Sequence, residues 1–358
     1  MKIGILSMQE VKNYGSFLQA FSLKSNIEAL GHQCKFVNIV PGEQLEGYKI
    51  SKLHKAELLA QRLCGWDFIK RFKYIYKFQS RFAKEFLPEL GVKKGKTTEH
   101  FDIIVIGSDE VFNCAQKTWF GFSHQLFGEG LNADKTITYA ASFGATTVSK
   151  LEKSGIQNIV SDLLKKLNKV SVRDANSQDV VKRLTGISAE KHVDPVLIFD
   201  YTKYMPPTVD MKNYMIVYTY PGRITNPNEI KSIQAYAKKN GLTLVSIGHY
   251  FPWCDKTIVP HPFEVLAYFK YATCIITDTF HGTVFSIKYN KPFCTIIRDM
   301  NSQKLSHLLE QFNLTNRIVK SGHDILSIMN QPINYIPINN MIHQERERSL
   351  DYLKKNLN

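Results

Sequence analysis

The residues best suited to chemistry in this chain stand in short polar turns, each directly behind an apolar run. In GSDEVFN, from Gly107 to Asn113, Ser108, Asp109 and Glu110 bring two carboxylates side by side. Neighbouring carboxylates repel, so one is expected to hold its proton near neutrality and serve as a general acid or base. In TDTFHG, Asp278 closes an apolar strand while His281 and Gly282 open a helix behind Thr279. An imidazole at a helix amino end can hydrogen-bond a phosphate and pass a proton. SVRD sets Arg173 behind a buried strand, with Asp174 as its sequence-local acidic partner. Its planar fork suits phosphate or carboxylate, although a structural salt bridge would use the same residue. Nearer the amino terminus Asn13, Tyr14, Gly15, Ser16 and Gln19 join the first strand to the first helix. Glycine permits close backbone approach there and the helix end favours an anion, while Ser16 acting as a plain cap accounts for the same residues. ASFG, Ala141 to Gly144, is chemically weak alone.

Other chemistries lose support. GVKKGKT at Gly91 to Thr97 has three residues between its glycines where a phosphate loop needs four, and it precedes a strand. GxGxxG, HExxH and GxSxG do not occur, and no His, Cys and carboxylate spacing suggests a metal, so neither a metal nor a redox cofactor is expected. Six cysteines without a CxxC pair, behind an amino terminus that reads as a strand and not as a signal peptide, predict a reducing, cytoplasmic setting.

The elements that must position these turns follow from hydrophobic pattern. KIGILSM, CKFVNIV, DIIVIGS, TITYAAS and KVSVRD read as buried strands, with helices expected from Ser16 to Leu30, near 150–168 and near 176–185. The pattern restarts with YMIVYTY, LTLVSIG, TCIITDT and PFCTII, between helices near 227–239, 263–271, 281–290 and 302–312. The fold class is therefore α/β: two doubly wound Rossmann-like domains facing a cleft, joined by a linker near 196–212. Residues 1–200 form the first domain and carry a basic helical insertion over 49–96; residues 201–335 form the second, and 336–358 a final helix.

The net charge of +14 is concentrated, since Lys49 to Lys96 holds 13 basic against 4 acidic residues. Phe68, Phe72, Ile75, Phe82 and Phe86 recur there at nearly helical spacing, which predicts an aromatic stripe packed on the first domain or, as the other reading, contact with an anionic membrane. No nucleic-acid module accompanies the charge, so nucleic acid is not an expected partner.

NYGSFLQA, DIIVIGSDEVFN, ASFG, SVRD, HVDPVL, HPFEVL and TDTFHGTVFSIKYNKP, in this order over residues 2 to 300, resemble the polysaccharide pyruvyl transferase family. The resemblance implies a glycosyltransferase-B-like fold. It also implies transfer of pyruvate from phosphoenolpyruvate onto two hydroxyls of a sugar, forming a cyclic ketal in a bacterial surface polysaccharide such as a capsule or exopolysaccharide. Catalysis falls to His281, with Asp109 or Glu110 taking the hydroxyl proton. Arg173, Gly282, Asn13, Gly15, Ser16, Ser108 and Thr279 fall to the donor, while Asp278, Asp194 of HVDPVL and Glu264 of HPFEVL are near-site structural residues. The partners implied are phosphoenolpyruvate and a sugar acceptor, lipid-linked or free, met in the cytoplasm or at the inner membrane face. Where the family motif carries arginine two places before the histidine, this chain has Thr279, which removes a phosphate contact. That keeps a nucleotide-sugar glycosyltransferase on the same scaffold as the alternative.

Overall fold

A computed structural model describes residues 1–45, 67–93, 95–116, 118–298, 302–322 and 324–358. Contacts divide these into two compact units: the described residues of Met1–Ser51, Leu87–Phe199 and Ile342–Asn358, and those of Lys52–Phe86 and Asp200–Met341.

In the first unit the sheet runs β2-β1-β3-β4-β5-β6, all parallel, from strands β1 Lys2–Leu6, β2 Gln33–Phe36, β3 Phe101–Asp109, β4 Ala133–Ala141, β5 Ser171–Val172 and β6 Glu190–Lys191. β3, FDIIVIGSD, is buried along nearly its whole length because helices cover both faces of a parallel sheet, so an unbroken apolar run suits it better than an alternating one. One core cluster joins Leu6, Ile104, Ile106, Phe112, Phe127 and Phe143. Helix α1, Tyr14–Ala29, follows β1; Asn13, and not the predicted Ser16, is its cap, accepting the Ser16 N–H. The single helix expected near 150–168 is two, Val148–Lys153 and Gln157–Lys165, broken where Gly155 takes φ 69°.

The second unit repeats the plan with β7 Tyr214–Tyr218, β8 Thr243–Ile247, β9 Lys256–Ile258, β10 Cys274–Thr277, β11 Phe293–Ile296 and β12 Ile318–Val319, in the order β12-β11-β10-β7-β8-β9 and again parallel. Two doubly wound sheets are thus present, as expected. β6, β9 and β12, two or three residues each at sheet edges, carry too little apolar pattern to be read from sequence.

The basic insertion differs from expectation. Its residues 52–66 lie outside the described residues. Helix α2, Phe68–Arg81, continues as a π-helical turn over Phe82–Phe86, and both belong to the second unit, not the first. Tyr74 stacks on Tyr250 at 5.7 Å, Phe78 meets His249 at 5.5 Å and Phe86 meets His261 at 5.0 Å, while Arg81 donates to the Val259 carbonyl. Phe78, Phe82 and Phe86 bury together, and a residue repeat of four overshoots an α-helical turn by about 40° per step. The wider π turn keeps the three rings on one face.

The final helix, α3, Tyr335–Asn356, is no separate body: from Ile342 it groups with the first unit, where Tyr352 donates to the Thr138 carbonyl at 2.8 Å and Arg348 to that of Lys191 at 2.7 Å. Among the described residues no helix is long and apolar enough to cross a membrane.

Candidate functional site

In doubly wound sheets ligands settle at the carboxyl ends of the strands, at the point where successive connections leave in opposite directions. In the second unit that point lies between β7 and β10, neighbours that continue to β8 on one side and β11 on the other. TDTFHG stands there. Thr277 donates to the Tyr218 carbonyl at 2.7 Å, tying the ends of β10 and β7 together. Thr279 caps the helix Phe280–Lys288, its hydroxyl accepting the Gly282 N–H at 2.9 Å. A Cβ at Gly282 would lie 2.2 Å from Thr277 Oγ1 and 2.7 Å from Thr279 Oγ1. Glycine is therefore required by the close approach of helix to strand.

His281 occupies the first turn of that helix, largely buried, edge-on to Phe280 and tilted against Phe285. Asp278 is wholly buried; burial pushes its carboxyl above the ordinary carboxylate range, and the charge of Arg223 opposes that shift. Arg223, from the loop after β7, approaches Asp278 Oδ2 at 3.8 Å and lies 4.5 Å from the Tyr220 ring. His249, at the end of β8, faces the same ring at 5.7 Å, and burial with the nearby Arg223 charge pushes its pKa down to about 4. Arg298, just behind β11, makes a two-point pair with Glu229 at 3.0 and 2.6 Å and adds its charge to the field at Asp278. Two arginines and two histidines thus follow four strands of this one sheet. Arg223, His249 and Arg298 escaped the sequence reading because each stands in a turn without a motif; only the strand order brings the charges of Arg223 and Arg298 to Asp278 and sets His249 beside Arg223.

In the first unit the corresponding point lies between β1 and β3, and the polar turns expected there do meet. Ser16 Oγ donates to Asp109 Oδ2 at 3.0 Å, and Ser7 Oγ donates to the Ser108 carbonyl at 3.1 Å. Asp109 holds φ 73°, a left-handed conformation that costs a side-chain-bearing residue of order 1–2 kcal/mol, and its carboxylate is fixed from both sides by Ser16 and Arg173.

Several expected roles change in the structure. Asp109 and Glu110 take separate partners: the former meets Ser16 and Arg173, while Glu110 accepts from Asn113 Nδ2 at 2.6 Å. Arg173 is not presented to an incoming anion; its Nη1 lies 2.8 Å from Asp194 Oδ2 and its Nη2 3.5 Å from Asp109 Oδ1, with 3% of the side chain exposed. Burial works against its charge, and Asp109 and Asp194 more than offset that, holding the guanidinium protonated. Asn13, Ser108, Thr279 and the Gly282 N–H likewise spend their bonding capacity inside the fold, Ser108 on the Ala140 carbonyl. Gly15 lies buried in the first turn of α1. Gly144 of ASFG is needed for space, because a Cβ there would stand 2.5 Å from Glu110 Oε2. Asp194 caps the helix Pro195–Ile198 and Glu264 closes a capping box with His261.

Among the described residues the group of side chains close enough to share a metal ion is His100, Asp102 and Asp134, at the amino ends of β3 and β4 and away from the carboxyl ends. No spacing rule reveals it, and Asp102 already accepts the Lys2 backbone N–H at 2.7 Å.

Two parallel, doubly wound units of this kind define a glycosyltransferase-B-like protein, and solved structures bear the class out. A UDP-GlcNAc 2-epimerase from Methanocaldococcus jannaschii, in complex with UDP-GlcNAc and UDP, matches with TM-score 0.52 at 13% identity over 98% of this chain and 100% of that one. Arabidopsis thaliana UGT89C1 complexed with UDP matches with TM-score 0.52 at 9% identity over 99% of each chain. Such identities speak for the fold alone. A family-wide sequence profile described as polysaccharide pyruvyl transferase matches residues 13–300, and the chain belongs to that family. None of the curated proteins matches it.

Proposed function

We propose that the protein transfers the pyruvyl group of phosphoenolpyruvate onto two hydroxyls of one sugar residue, giving a cyclic ketal and phosphate. The family supports a transferase of polysaccharide biosynthesis. The observation that carries the donor assignment is His281 in the first turn of a helix at the β7–β10 crossing point, three residues after Asp278, to which Arg223 is paired. Phosphoenolpyruvate brings a carboxylate and a phosphate, and it reacts by protonation at its methylene carbon.

The steps balance without a cofactor. A proton forms the new C–H bond at the methylene; the adjacent carbon, now electron-poor, gains a C–O bond to the first hydroxyl, whose proton is released. The C–O bond to phosphate then breaks and phosphate leaves with the electron pair. The second hydroxyl adds to the oxocarbenium carbon and loses its proton, so one proton enters, two leave, and phosphate departs as hydrogen phosphate. His281 supplies an imidazole, a group that can both donate and accept a proton, and Arg223 can neutralise an anionic oxygen. Asp109, bound to Ser16 and Arg173, suits a positioning role better than that of a proton acceptor.

A nucleotide-sugar glycosyltransferase is the second reading, favoured by Thr279 in place of the family arginine. Thermal shift with phosphoenolpyruvate against UDP-sugars separates the two, because a ligand that binds the folded state raises the melting temperature. Phosphate release from phosphoenolpyruvate, dependent on a sugar acceptor, is the outcome expected; stabilisation by UDP-sugars alone would reject the proposal.

A further inference from the structure

Helix α2 uses its aromatic residues in two different ways. At 100° per residue, Arg71, Tyr74, Ile75 and Phe78 fall on one side. That side is packed: Tyr74 lies on Tyr250, Phe78 on His249, and Arg71 pairs with Asp67 at 3.2 Å. The sequence pattern had put Phe68 and Phe72 in the same packed stripe. Instead Phe68, Ile69, Phe72 and Tyr76 are 40, 68, 62 and 64% exposed; Ile69, Phe72 and Tyr76 lie on the side turned from that contact and Phe68 at its edge. Beside this apolar stripe, on the exposed side as well, run Lys70, Lys73 and Lys77. The helix contains no acidic residue.

We propose that this face of α2 docks the protein reversibly on an anionic phospholipid surface. An isoleucine and three aromatic rings on one arc of a helix can enter the boundary between headgroups and acyl chains, and lysines along the edge of that arc can reach lipid phosphates with their flexible stems. A second copy of the chain fits less well, because two chains of net charge +14 repel one another whereas an anionic surface attracts each. A helix of 14 residues lies on such a surface and does not span it.

Sedimentation of the full chain with vesicles tests this. Vesicles of phosphatidylglycerol mixed with phosphatidylcholine should carry the protein down at low salt, and phosphatidylcholine vesicles should not. The triple variant Lys70→Gln, Lys73→Gln, Lys77→Gln should bind the anionic vesicles roughly 100-fold more weakly, given the usual attraction per basic residue near such a surface. Ile69→Ser with Phe72→Ser should weaken binding while the lysines remain. All five positions are exposed, so an unchanged melting temperature verifies the fold of each variant. Absence of anionic-vesicle binding, or binding indifferent to both variants, overturns the proposal. So does a vesicle-free dimer in analytical ultracentrifugation that Ile69→Ser with Phe72→Ser dissociates, since the face would then be a contact between copies.

Discussion

Arg223 Nη1 stands 3.8 Å from Asp278 Oδ2, so a wholly buried carboxylate at the end of β10 has a partly exposed guanidinium from the β7 loop as its cation. The pair is asymmetric. Asp278 cannot leave, whereas Arg223 rests on the Tyr220 ring and keeps part of its side chain in solvent, where an arriving anion can share it.

Arg223→Gln should therefore raise the KM for phosphoenolpyruvate by about 10- to 100-fold, the span of one charge-assisted hydrogen bond, with a smaller change in kcat. Initial-rate kinetics at varied donor measure it. An unaltered KM would remove Arg223 from the donor site.

Arg173→Met should act on stability first. Removing the guanidinium leaves the buried Asp194 and the partly buried Asp109 without their cation, a loss of about 3–5 kcal/mol by analogy with other broken buried pairs. Urea midpoints against the native chain are the measurement. A variant as stable as the native protein that nevertheless fails to bind donor would return Arg173 to the role of anion holder.

His281→Asn and Gly282→Ala, adjacent positions, should fail in opposite ways. The first should cost about 10² to 10⁴ in turnover with the melting temperature held, as for a lost general acid. In the second, the added methyl stands 2.2 Å from Thr277 Oγ1, so the melting temperature should fall, with overpacking costing about 1–3 kcal/mol. Turnover at the native rate in His281→Asn would end its assignment as the proton donor.

Acid should destabilise the protein well above carboxylate pKa values. Burial, with the Arg348 charge, pushes His192 from 6.5 to about 4, and burial with the Arg223 charge does the same to His249. Between those values the unfolded chain binds protons that the folded chain refuses, so stability is full above pH 6.5 and falls as pH drops toward about 4. Each histidine contributes on the order of 3 kcal/mol across that window, and His192→Phe should flatten the slope of urea midpoint against pH. A His192→Phe slope matching the native one would show that His192 is not a source of the acid sensitivity.

What the sequence determined by itself was the order of buried strands and the polar turns behind them. An apolar run ending at Leu6, Ser108, Thr277 or Ile296 is a local property, set by side chains that must leave water and by the turn residues that follow, and the double winding follows from alternating such runs with helical ones. That the turns bearing Ser16 and Asp109 close strands of one sheet was legible in the same sense; that the two side chains meet at 3.0 Å was not, since it needs β1 beside β3. Partnership was not legible. In sequence Asp174 is the local acidic partner of Arg173, yet Asp194, 21 positions on, claims it, and the Asp174 carboxylate accepts from Ser142 and Ser177. Arg223 and Asp278, 55 positions apart, become neighbours only because β7 pairs with β10. The insertion shows the same limit: aromatic spacing predicts a helix but not which unit it packs on, nor which rings are buried. Those depend on the surface that His249, Tyr250 and His261 present, and on a π turn that rephases the phenylalanines. Burial and charge pairing act through space, so they are decided only when strand order has fixed which residues can touch.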